Sequence, residues 1–104
     1  MNTSSGEETG PKPKKFSPKF PLGRVCATSN AVHTLPEDDI ALALSRHVAA
    51  DWGSLDPEDW LANERAFEAG DRLFSRYFSK TGVKFYVITE WDRSATTVLL
   101  PEDY

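Results

Sequence analysis

"RLFSRYFSKTGVKFYVITE", residues 72–90, decides what kind of fold this chain makes. Aromatic and β-branched residues recur along it with a period of two, and Thr81-Gly82 breaks the run in the middle. Alternation of this kind belongs to strands, and a glycine-containing break between two such runs marks a β-hairpin. A two- or four-residue connection at Thr81-Gly82 places Arg72, Phe74, Arg76 and Phe78 on one face with Val83, Phe85, Val87 and Thr89. Leu73, Ser75 and Tyr77 then share the other face with Lys84, Tyr86, Ile88 and Glu90.

Upstream of Gly70 the period is 3.6. In "TLPEDDIALALSRHV", residues 34–48, Thr34 and Glu37 have capping-box spacing, and Glu37, Asp38 and Asp39 fill a first turn where the helix dipole favours acids. Ile40, Leu44, His47 and Val48 form one buried stripe, and Gly53 is the expected stop. Asp56 and Pro57 then start a second helix, with Trp60, Asn63 and Phe67 on one face and Gly70 at its end. Further out, "LGRVCAT" (22–28) reads as a short strand and "SNAVHTL" (29–35) as one helical turn. Beyond the hairpin, "WDRSA" (91–95) is a turn in which Asp92 accepts from the backbone near Ser94, and "TTVLL" (96–100) is another strand. The order β-α-α-β-β-β predicts an α+β fold, two main helices packed on a three- to four-stranded antiparallel sheet. Val25, Ile40, Leu44, Trp60, Phe67, Phe74, Phe85, Val87, Val98 and Leu99 are its expected core.

The 104 residues suit one domain. Residues 1–19 combine Gly, Pro, Ser, Thr and Lys with few apolar groups, which predicts a disordered, solubilising tail before a compact domain over 20–104. That stretch has no apolar signal region, no apolar run approaches the roughly 18 residues of a membrane span, and the one cysteine, Cys26, forms no internal disulfide. The expected location is therefore cytoplasmic. The net charge of −4 is uneven: residues 37–68 carry nine acids against Arg46 and Arg65, while residues 71–104 are balanced. An acidic surface of this kind argues against a general duplex-DNA binder and permits a protein partner with basic groups.

Three segments, "GRVCAT", "RHVAADWG" and "VITEWDRSATTVLLPEDY", together resemble a family of small uncharacterised bacterial proteins associated with phages, plasmids and integrated elements. Its members are often labelled plasmid-related protein or type I restriction endonuclease subunit M. The resemblance covers roughly residues 20–104 and implies a mobile-element context without a transferable activity. Methyl transfer in particular does not follow. It requires a methyl-donor pocket and a loop to hold a flipped base, and neither a glycine-rich strand-to-helix turn nor an N-P-P-[FY] loop is present.

Two functional classes compete. The first is an acidic protein-binding module, an accessory or inhibitor protein, with Trp52 projecting where the two acidic helices meet and with Asp51, Asp92 and Arg93 as further binding residues. The second is a metal-independent ribonuclease or toxin-like nuclease. There His47, oriented by Asp51 four residues on, would be the base, and Arg76 and Arg93, with Arg72, Thr89, Ser94 and Thr97 nearby, would clamp a phosphodiester. The element order resembles, at fold level, barnase and RelE-type ribonucleases. Each residue also has a structural reading: His47 continues an apolar stripe, Asp92 and Arg93 shape a turn, and Arg72 and Arg76 pair with surface acids. These structural readings leave no firm catalytic residue. No further His or Cys pair completes a metal site, no cofactor motif is present, and the oligomeric state stays open.

Overall fold

The computed structural model describes residues 17–104. Most of the expected tail, residues 1–16, lies outside the described residues. The chain runs β1 (Arg24–Ala27), α1 (Ser29–Thr34), α2 (Glu37–Val48), α3 (Pro57–Ala69), β2 (Leu73–Phe78), β3 (Lys84–Thr89), β4 (Ala95–Leu99) and a 3-10 turn, Pro101–Asp103. The four strands lie in the order β1-β4-β3-β2. This is the α+β class read from the sequence, with one correction to the sheet. β2, β3 and β4 are antiparallel, but β1 runs parallel to β4, pairing Arg24 with Ala95 and Ala27 with Val98. β1 is an exposed edge strand, so Val25 is 46% exposed and not part of the core.

The hairpin also differs from expectation in one decisive respect. Ser79 and Val83 close a three-residue connection, in which the Gly82 N–H donates to the Ser79 carbonyl and Gly82 takes a left-handed φ of 88°. This is the turn-plus-bulge form of hairpin loop. An odd number of connecting residues moves each partner by one, and a one-residue move exchanges faces. Leu73, Ser75 and Tyr77 therefore lie opposite Thr89, Val87 and Phe85, and Phe74 and Arg76 lie opposite Ile88 and Tyr86.

The first set faces inward. Tyr77, Phe85 and Val87 join Val98, Leu100, Ala31, Leu35 and Ala43 in one buried cluster, with Ile40 and Leu44 packed against it. A second cluster holds Phe20, Trp52 and Leu73, flanked by Trp60, Ala66 and Phe67 of α3. Phe20, at the start of the expected domain, is thus a core residue, and the preceding Lys19 donates its N–H to the Val48 carbonyl at 2.7 Å.

The helix starts and stops follow the same physics with different actors. Thr34 belongs to α1, so the Thr34–Glu37 box does not form; Pro36 is the N-cap of α2, and the three acids occupy its first turn as expected. The left-handed stop of α2 is Ala50, with φ 64°, not Gly53. The Ala50 N–H donates to the His47 carbonyl and the Asp51 N–H to the Arg46 carbonyl, the bonding of a Schellman motif. Gly53 is required for another reason: a Cβ there would lie 2.0 Å from the Arg76 carbonyl oxygen. Residues 52–54 run against the outer edge of β2. The Arg76 N–H donates to the Trp52 carbonyl, and the Ser54 N–H donates to the Arg76 carbonyl. Asn63 of α3 completes the cover by accepting the Phe74 N–H at 3.0 Å. At Phe74 and Arg76 this β2 edge is thereby covered, which blunts it as a pairing site.

Candidate functional site

Alternate residues of β2–β4 carry two quite different polar systems, one sealed and one open. The sealed one centres on His47, which is 0% exposed. Its Nδ1 lies 2.6 Å from Ser75 Oγ and its Nε2 2.9 Å from Thr89 Oγ1. Thr89 Oγ1 lies 2.7 Å from Thr96 Oγ1, which donates to the Leu22 carbonyl at 2.7 Å. A carbonyl can only accept, so the direction of the series as far as His47 Nε2 is fixed. Thr96 gives its proton to Leu22 and accepts from Thr89, and Thr89 accepts from His47 Nε2–H. Burial, with a smaller contribution from the Arg93 charge, lowers the His47 pKa to about 3. The neutral ring that results leaves Nδ1 to accept from Ser75, so both nitrogens are satisfied. Phe20 and Trp52 close over the ring at centroid distances of 5.4 and 5.7 Å.

This geometry reassigns the sequence candidates. His47 has the protonation state of a base but no path to a substrate, and Asp51 does not orient it. The Asp51 carboxylate instead takes Arg46 Nε at 2.8 Å and the Gly53 N–H at 3.1 Å. Trp52 does not project; it is 0% exposed, at the centre of the second cluster, with Nε1 donating to Glu64 at 2.7 Å. Phe20 and Leu73, both distant in sequence, supply the apolar surroundings that bury it. Arg93 sits at a left-handed φ of 61°, donates from Nη1 to the Asp71 and Glu90 carbonyls, and stacks 5.6 Å over Phe20. Asp92 accepts the Ser94 N–H at 3.0 Å, the turn bond expected of it, and this bonding to Ser94 holds its pKa low. Arg76 donates through Nε to Ser54 Oγ and through Nη2 to the Ser54 carbonyl, with Asp56 at 3.8 Å. The sheet thus separates His47 from Arg76, and no phosphodiester can meet both. Among the described residues, no three His, Cys, Asp or Glu side chains converge as metal ligands.

The open system lies on the other face. Phe74 and Tyr86, with centroids 4.7 Å apart, both meet the Tyr104 ring edge-on, at 5.9 and 5.8 Å. The Pro101–Asp103 turn brings Tyr104 back over the strands, anchored where Asp103 accepts from Thr28 Oγ1 and Asn30 Nδ2, both at 2.7 Å. Tyr104 itself is 68% exposed and stands as a ridge between two hollows. The larger, about 500 Å³, lies between α3 and the sheet, with Leu55, Ala62 and Ala66 as its wall and the aromatic trio as its floor. Its polar groups are Asp59, Asn63, Arg72 and Arg76. Arg72 lies 5.9 Å over the Tyr104 ring and pairs with Glu90 only at 3.9 Å. Asn63 is 6% exposed, and its Nδ2 has no hydrogen-bond partner among the described residues. Such an unmatched buried donor costs about 1–3 kcal/mol.

Sequence reasoning placed Asn63 correctly with Trp60 and Phe67 but missed Tyr104, Tyr86 and Phe74 as a site. The signal for them was the alternation itself, read with the faces exchanged. Trp91, at the β3–β4 turn, is an exposed tryptophan in the sense intended for Trp52. Among the described residues no helix is long and apolar enough to cross a membrane. No protein-family model, curated protein or solved structure matches the chain.

Proposed function

We propose that this chain is a non-catalytic protein-binding module that docks its partner on the open face of the sheet, as a cytoplasmic accessory or inhibitor protein of a mobile genetic element. The observation that carries the reading is the uncovered aromatic hollow of about 500 Å³, floored by Phe74, Tyr86 and Tyr104. Concave, apolar sites with a few convergent polar groups are where proteins take ligands and anchor residues. Catalysis finds no comparable support. The histidine best placed in sequence is enclosed, and Arg76 and Arg93 spend their donors on backbone carbonyls.

Capture from the native host with the purified chain as bait tests the proposal. A specific protein retained by the wild type and lost with Tyr104→Ala is the expected result. Metal-independent degradation of RNA by the purified chain, abolished by Arg72→Ala in a folded protein, would replace it with a nuclease function.

A further inference from the structure

We infer that the hollow between α3 and the sheet receives an aromatic side chain of the partner together with an acidic residue adjacent to it in the partner's chain. The inference rests on the docking role proposed above and specifies its chemistry. The apolar part follows from the floor. Tyr104 meets Phe74 and Tyr86 at interplanar angles of 78° and 77°, and a fourth ring extends such an edge-to-face set without exposing polar groups to apolar ones.

The acidic part follows from one donor without an acceptor among the described residues and one cation held by a long ion pair. Asn63 Oδ1 is occupied by the Phe74 N–H, and its Nδ2 is unpartnered among the described residues. Arg72 keeps a guanidinium beside Tyr104, with an ion pair to Glu90 at 3.9 Å. Both groups can only donate in these positions, so the complement is an oxygen acceptor, and at Arg72 an anionic one. A basic partner residue would instead have to displace Arg72 from Tyr104 and would leave Asn63 unmatched.

A nucleic-acid strand also offers rings and anions. It would have to carry one charge per nucleotide past Asp59, which lines the hollow, and near Asp56 and Glu58, the other acids at the start of α3. A single carboxylate seated at Arg72 brings one charge against Asp59 and Glu90 where a strand brings several, and the acidic balance of the helical region therefore favours a peptide.

The test is a titration of the full ¹⁵N-labelled chain, following the Asn63 side-chain amide and the Arg72 Nε–H. The probe is the blocked pentapeptide Gly-Ser-Trp-Asp-Gly. It should shift both signals saturably. Replacing its Asp by Asn should weaken binding about tenfold, the scale of one charge-assisted hydrogen bond. Replacing its Trp by Ala should abolish the shifts, and Arg72→Gln in the protein should erase the difference between the Asp and Asn peptides while the rest of the spectrum is retained. Unmoved Asn63 and Arg72 signals overturn the inference, as does equal binding of the Asp and Asn peptides. A five-residue oligouridylate that binds the same signals more tightly than the peptide overturns it in favour of nucleic acid. Should the peptides fail while host-protein capture still depends on Tyr104, the docking role stands with a different chemistry. Should both fail, the role fails with it.

Discussion

The two faces of the sheet are built from the same strands, residue by residue in alternation, yet they have opposite character. On the inner face every polar group of Ser75, Thr89, Thr96 and His47 is bonded in one directed series between two apolar clusters. On the outer face the rings of Phe74, Tyr86 and Tyr104 meet one another in the open, and beside them a buried donor on Asn63 goes unmatched among the described residues. The difference teaches where to look for function in a small domain. A satisfied buried network stabilises one conformation, whereas an unsatisfied group beside open aromatic surface marks a place where something else can bind.

If the inner face is the structural one, Trp52→Ala should have the largest effect of the changes considered. Its ring is in contact with Phe20, His47 and Phe67. Truncation of such a residue costs about 3–5 kcal/mol, a large part of the stability of a domain of this size. Urea denaturation measures it. A loss below about 1 kcal/mol would mean that Trp52 is an exposed anchor after all, and the contrast between the faces would fall.

Acid should attack the inner face next. The folded pKa of His47 is lowered to about 3, below the ordinary value of 6.5, so the unfolded chain binds a proton that the folded chain refuses. The stabilisation from keeping His47 neutral is complete above pH 6.5 and is lost as pH falls toward 3, at about 1.4 kcal/mol per unit. Between pH 7 and 4.5 the loss should reach about 2–3 kcal/mol. Asp92 and Asp103 have lowered pKa values, from hydrogen bonds with Ser94 and with Thr28 and Asn30, and they begin to titrate only at lower pH. A flat stability profile over that window would show that the series at His47 opens to water.

The hairpin gives a smaller effect. Gly82 has open space around it, so Gly82→Ala meets no clash and only the left-handed φ of 88° opposes it. The expected cost is about 1 kcal/mol in thermal or urea unfolding. No change would mean that the three-residue loop is not the one that sets which residues face inward.

That loop also marks how far the sequence could be read. The change of period at Gly70, the hairpin and the two main helices with their acidic first turns were legible, because each is a local pattern. The faces were not, because Thr81-Gly82 fits connections of two, three or four residues and only their parity matters. The parallel pairing of β1 with β4 joins residues about seventy positions apart and has no local signature. Trp52 was misplaced for a similar reason: Phe20 and Leu73 bury it, and neither is near it in sequence. His47 was legible as a packing residue from its place in the stripe Ile40, Leu44, His47. Its partners Ser75, Thr89 and Thr96 were not, since they follow from strand register. Of the open site, Asn63 could be placed by helical spacing, whereas Tyr104 belongs to no periodic run.

Tyr104→Ala should have the smallest effect on folding and so gives the sharpest test of the comparison. The side chain is mostly exposed, and its segment is held by Asp103, through Thr28, Asn30 and the Leu100 N–H, not by the ring. Edge-to-face contacts with Phe74 and Tyr86 contribute about 0.5–1.5 kcal/mol when buried, and less at a site this open, so the expected loss is below about 1 kcal/mol. Removal of the ridge should nevertheless merge the two hollows and take away one side of the aromatic floor. Peptide binding measured at the Asn63 side-chain amide should therefore fall by tenfold or more while the unfolding midpoint barely moves. The opposite outcome, a large loss of stability with binding unchanged, would make Tyr104 a core residue of the outer face and leave the sheet with two structural faces and no docking surface.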